Sequence, residues 1–231
     1  MYKRQRNENP ERTGFAHLFE HLMFRGTRRI PNFDLPVQMA CGDNNAFTNN
    51  DYTDFYITLP KDNVETALWL ESDRMEGLDI TPAKFEAEKK VVIEEFRQRY
   101  LNQPYGDQPM LLRALAYKVH PYRWATIGLT PEHIAQATLD EVQAFYRAHY
   151  RPSNAILSIS ADIDEERVFE LAERYFAPIA DTPSAAGGLQ KIAHLPFPAD
   201  LLRQRVEGAD QRFGVVDGAM AVSYTHLTLP T

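Results

Sequence analysis

His17, Glu20 and His21 stand at positions i, i+3 and i+4 of the run Thr13-Gly-Phe-Ala-His-Leu-Phe-Glu-His-Leu-Met-Phe-Arg-Gly26. On a helix, at about 100° per residue, their side chains share an arc of roughly 100°, so two imidazoles and a carboxylate can converge on one cation. The order H-x-x-E-H, with the carboxylate just ahead of the second histidine, is that of the inverted zincins. Shuffling this composition would produce the pattern about 0.015 times per chain, which makes coincidence a poor explanation. Phe15, Leu18, Phe19, Leu22, Met23 and Phe24 surround the polar residues and give the apolar perimeter of a buried helix. A carboxylate and two imidazoles buried there need compensation, and a bound cation compensates all three together. The bland alternative is a pair of hydrogen-bonded core histidines beside an unrelated glutamate; it leaves the shared arc unexplained. Thr13 reads as the N-cap of this helix and Gly26 as its C-terminal stop.

A catalytic zinc takes three protein ligands plus water, so a further donor must come from another element. A helix is expected over residues 82–101, with Thr81 as N-cap and Pro82 at the first helical position. Phe85, Val92, Ile93, Phe96 and Tyr100 make its apolar stripe. Glu88 and Glu95 fall at the border of that stripe, superposed two turns apart, whereas Glu94 faces solvent. Periodicity selects Glu88 or Glu95 and does not choose between them. A solvated helix carboxylate beside Lys or Arg is the ordinary reading of either one alone.

With these residues in view, the chain resembles the M16 zinc metallopeptidases, the group of pitrilysin, insulin-degrading enzyme and the mitochondrial processing peptidase. The resemblance spans roughly residues 2–210 and includes Asn44-Asn-Ala-Phe-Thr48, Tyr52-Thr-Asp-Phe-Tyr56 and Tyr150-Arg-Pro-Ser-Asn-Ala155 besides the histidine motif. His21 and Glu95 stand slightly closer in sequence than is usual in the family. The resemblance implies a Zn2+ cofactor with His17, His21 and Glu95 as ligands. It also implies catalytic roles for Glu20, as proton acceptor, and for Glu88, as supporting acid. Asn45, Ala46 and Phe47 are implied to lie on an edge strand that pairs with an extended peptide substrate. Read from the residues alone, Asn44 and Asn45 are as well explained as turn residues. The implied activity is zinc-dependent endopeptidase cleavage of peptides or unfolded segments, with a non-catalytic M16-like partner or assembly subunit as the alternative. The resemblance further implies a second homologous half, in the same full-length chain or a partner subunit. The expectation is that this chain binds zinc but cleaves poorly alone.

Strands separated by runs of helices suggest an α+β fold, a mainly antiparallel sheet with helices packed on one face. A polar turn is expected at Gly42–Asn45 and a strand over 46–59, in which Thr53, Phe55, Ile57 and Leu59 share one face. Helices are expected near 35–40, 62–76, 108–118, 131–136, 138–149 and 164–176. A strand is expected at 155–161, a linker over 178–188, and strands around 190–208. Thr138-Leu-Asp-Glu141 reads as a capping box. Residues 1–148 are assigned to a zinc-bearing N-terminal segment and 149–215 to the start of the following M16 segment. Residues 216–231 are assigned to a tail that does not continue the family pattern and is set aside with His226. The chain enters the motif helix early, where the resemblance implies strands and any targeting segment ahead of it, so a fragment is expected, truncated at both ends.

The net charge of −7 is spread along helices without a basic stripe, which argues against nucleic acid as a partner. No run of residues is apolar for long enough to span a membrane. Cys41, the single cysteine, excludes an intrachain disulfide and a cysteine-based zinc site, leaves the compartment open, and reads as buried. Trp69 and Trp124 read as packing residues, and His120, His133, His149 and His194 have no ligand spacing.

Overall fold

A computed structural model describes residues 8–180 and the backbone of 219–224. The expected strands around 190–208, most of the 178–188 linker, His194 and His226 lie outside the described residues.

The first helix, α1 (Phe15–Leu22), is as enclosed as its apolar perimeter requires: Leu18 and Phe19 are fully buried and Leu22 nearly so. Phe19 stacks on Phe145 and Tyr150, with ring centroids 4.9 Å and 5.2 Å away. The start of α1 corrects the sequence reading, because Thr13 does not cap it. Gly14 is the N-cap, in the left-handed region at φ 90°, and the Thr13 hydroxyl instead accepts the Leu129 N–H and pairs with His133 Nδ1. A Cβ at Gly14 would collide with the carbonyl oxygen of Ile127.

After α2 (Asp34–Met39), the stretch expected to be one strand is a hairpin, β1 (Asp43–Thr48) and β2 (Thr53–Pro60). The break falls at Asn49, whose side-chain oxygen accepts the N–H groups of Asp51 and Tyr52 and so stabilises a turn in place of strand pairing. The polar turn expected at Gly42–Asn45 is absent, since Asp43–Asn45 are paired in β1. On β2, Phe55, Ile57 and Leu59 are buried while Thr58 and Pro60 are exposed, the expected alternation. The buried face meets α1 and α3 (Val64–Glu76). Arg74 of α3 is itself buried there, ion-paired with Glu71 and stacked over the rings of Phe33 and Phe55.

Helix α4 (Pro82–Phe96) begins as expected, with the Thr81 hydroxyl accepting the Lys84 N–H and proline in the first turn. It then continues as a π turn over Arg97–Leu101. Next come α5 (Gln108–Ala116), α6 (Pro131–Ala135) and α7 (Leu139–His149), the last with the complete Thr138–Glu141 capping box. Strand β3 (Leu157–Ser160), α8 (Glu165–Phe176) and β4 (Ala219–Tyr224) complete the described elements. The sheet is antiparallel in the order β1-β2-β4-β3. Residues 219–224, part of the tail set aside on sequence, pair with β2 and β3. Among the described residues no helix is long and apolar enough to cross a membrane.

Gly14→Ala should lower the unfolding free energy by at least about 1–3 kcal/mol, the usual cost of forcing a side chain into such a backbone state. Leu115→Ala, at an exposed site, should change it by less than about 0.5 kcal/mol. Urea titrations of the two variants make the comparison.

Candidate metal centre

α1 and α4 pack against each other and turn their polar residues to a common point. One ligand atom from each of His17, His21 and Glu95 lies within 4.8 Å of the other two. Glu95 Oε2 is 3.3 Å from His21 Nε2 and 3.7 Å from His17 Nε2, and the two imidazole rings meet edge to face with centroids 4.8 Å apart. Of the two carboxylates left open by periodicity, the structure places Glu95 against both imidazoles, while Glu88 turns to the far nitrogen of His21. Its Oε2 is 3.3 Å from Nδ1, and its other oxygen is ion-paired with Arg25. Glu94 is exposed, as its angle on the helix required.

The electrostatics follow from that geometry. Burial, the largest influence on His17, drives its pKa down to about 4 against the pull of Glu95, so the ring is neutral at pH 7. For His21 burial also acts downward, but the bonds to Glu88 and Glu95 outweigh it and hold the imidazole near 9. Glu95 is held below the ordinary carboxylate range by the hydrogen bond from His21, which outweighs burial. Burial opposes the charge on Glu88, yet His21 and Arg25 keep its pKa low. Burial raises Glu20, partly offset by the Thr48 hydroxyl, which donates to Glu20 Oε2 at 2.6 Å.

These residues fit a divalent cation. A neutral imidazole, a second imidazole whose far nitrogen faces the Glu88 carboxylate, and the Glu95 carboxylate form a nitrogen-and-oxygen donor set suited to zinc. His17 presents Nε2 to the same point, 3.7 Å from Glu95 Oε2, while its buried Nδ1 has no hydrogen-bond partner among the described residues, so the ring is not a histidine held in the core by hydrogen bonds through both nitrogens. Each ring nitrogen of His21 faces a carboxylate, Nδ1 that of Glu88 and Nε2 that of Glu95, and a cation held between His21 and Glu95 would displace the proton on Nε2.

Four contributors to the site were not assigned from sequence. Glu8, buried, accepts the N–H groups of Gly14 and Ala16 and the indole N–H of Trp124. It supplies the capping that Thr13 does not, and no local pattern marks it because its partners are assembled by the fold. Thr48 belongs to the Asn44–Thr48 motif, but its contact with Glu20 needs the hairpin. Arg25 and Arg99 each stand four residues after a candidate ligand, a spacing that could have flagged them. Asn45, Ala46 and Phe47 lie on β1, at the edge of the sheet. Cys41, expected to be buried, is exposed on a turn with φ 58°. Trp124 is buried as expected, while Trp69 is 38% exposed.

Comparison with known proteins points to one family. The family described as Insulinase (Peptidase family M16) matches residues 5–128. The chain belongs to the M16 peptidase family. A second M16 description, the inactive domain, matches residues 136–212, beyond every residue of the candidate centre. The chain is 33% identical to a protein named zinc protease PqqE from Helicobacter pylori over 183 residues, 78% of this chain and 41% of that protein. It is 28% identical to a probable mitochondrial-processing peptidase subunit beta of Schizosaccharomyces pombe, covering 78% of this chain and 39% of the other. A crystal structure of a protease from Helicobacter pylori superposes with a TM-score of 0.75 at 33% identity, over 81% of this chain and 46% of that one. The chain therefore spans less than half the length of these M16 relatives.

Burial lifts the Glu8 carboxyl from 4.5 to about 7 despite its donors. The folded state thus holds a proton that the unfolded chain releases, and stability should fall as pH rises from about 4.5 to about 7. Glu8→Gln should remove that slope and also cost about 1–3 kcal/mol, because an amide NH2 would face a backbone or indole donor. Denaturant midpoints measured across that pH range test both statements.

Proposed function

We propose that this chain is the zinc-bearing part of an M16 metalloendopeptidase that hydrolyses peptides or unfolded segments. The observation that carries the reading is the convergence of His17, His21 and Glu95 within 4.8 Å, with the Glu20 carboxylate on the same helix beside them. Relatives named zinc proteases support the choice of metal. When bound, zinc supplies a Lewis acid and lowers the pKa of a water ligand to about 7.

The chain's own residues do the rest. His17, His21 and Glu95 hold the cation, and Glu88, backed by Arg25, orients His21 through Nδ1. Glu20 takes the proton of the attacking water and returns it to the leaving amine; its raised pKa brings it closer to the operating pH. Thr48 steadies that carboxylate. A peptide would add to the outer side of β1 at Asn45, Ala46 and Phe47. Main-chain hydrogen bonds would then set its register whatever its sequence. Because Thr48 ends β1, the strand that takes the substrate also reaches the proton acceptor.

The rival reading, a non-catalytic assembly subunit, draws on the inactive-domain match, but that match begins after the last residue of the centre. Its stronger content concerns partners. A second homologous half would supply further groups to the substrate, so the chain alone should bind zinc yet cleave an unstructured peptide poorly. Robust turnover by the separated chain would contradict that division of labour.

Glu20→Gln should keep one zinc per chain while reducing peptide cleavage in the full-length context by at least about a hundredfold. His17→Ala and Glu95→Ala should lose the metal. Elemental analysis paired with a fluorescent peptide assay reads both, and zinc loss from Glu20→Gln would show that the roles are reversed.

A further inference from the structure

Arg99 occupies the π turn that follows α4, and its Nη2 lies 2.8 Å from Glu95 Oε1. The other oxygen of the same carboxylate faces the two imidazoles. Glu95 is thereby divided, with one oxygen gripped by a guanidinium and the other presented to the centre. The π turn closes with Asn102 N–H donating to the Arg97 carbonyl at 2.8 Å, a five-residue step that re-aims the side chains beyond the ligand.

We propose that Arg99 is a positioning residue that holds Glu95 in its ligating orientation. The inference rests on the metal-centre reading above and adds to it a residue that the zinc motif does not require. Two consequences of a guanidinium oppose each other here. As a nearby positive charge it repels a dication, so by charge alone its removal would tighten binding. As a hydrogen-bond partner it fixes the ligand's orientation, and loss of such a partner commonly weakens metal binding by about ten- to a hundredfold. Arg99 is mostly exposed, so water and salt screen its charge, whereas the hydrogen bond still fixes the carboxylate. Orientation should win. The planar fork of arginine also grips a carboxylate in a way that the point charge of lysine does not.

The test is the zinc affinity of the chain, measured by competition with a chromogenic chelator, for the unaltered protein, Arg99→Met and Arg99→Lys. Arg99→Met should bind zinc at least about tenfold more weakly, and Arg99→Lys should recover only part of the loss. The urea midpoint of the zinc-free chain should be unchanged in both, since an exposed ion pair contributes little to stability. Unchanged or tighter binding by Arg99→Met would overturn the proposal. So would full recovery by Arg99→Lys, which would reduce Arg99 to a charge. Failure of the unaltered chain to bind one zinc would overturn the metal centre itself, and this inference with it.

Discussion

The crossing of α1 and α4 is the constraint on which the rest depends. Three donors from two helices, separated in the chain by α2, the hairpin and α3, must arrive within 4.8 Å of one another. Small displacements would undo this, since coordination distances are near 2 Å. Such placement is achieved by packing on every other side of α1. Phe19 is locked in a stack with Phe145 and Tyr150 of the region around α7, and Gly14 lets the backbone close on Ile127. Glu8 ties the first turn of α1 to Trp124. The apolar perimeter of the motif helix is thus the device that aims the imidazoles.

The polar groups around the centre answer one another in pairs. Arg25 and His21 share Glu88, Arg99 and His21 share Glu95, and Thr48 holds Glu20. An isolated carboxylate at the depth of Glu88, 1% exposed, would be expensive to keep ionised, and its two cationic neighbours are what make it tolerable. The same logic recurs away from the centre, where Arg74 is buried against Glu71 and three phenylalanine rings. The fold therefore tolerates buried charge when partners are built in, and the candidate metal centre is its most concentrated instance.

Much of this was legible in the residues and their order. His17, Glu20 and His21 share a helical face by arithmetic alone. The Thr81-Pro82 and Thr138–Glu141 helix starts follow from local capping chemistry, and the alternation of β2 follows from a strand buried on one side. What local rules could not reach was anything decided between elements. Thr13 has the right type for an N-cap, but tertiary contacts with Leu129 and His133 claim its hydroxyl, and Glu8 takes over the capping. Asn49 breaks the expected strand through a side-chain bond that competes with pairing. Glu88 and Glu95 are equivalent by angle, and helix periodicity alone cannot separate them; the crossing position of α1 does. The strand at Ala219–Tyr224 depends on pairing partners far earlier in the chain, β2 and β3.

The most direct test of the central claim is the zinc-edge X-ray absorption spectrum of the zinc-loaded chain. A shell of two imidazole nitrogens and two oxygens at about 2.0–2.2 Å, one from a carboxylate and one from water, is the result this account requires. A shell containing sulfur near about 2.3 Å, or one made of oxygens without imidazole scattering, would show that the metal is not held by His17, His21 and Glu95.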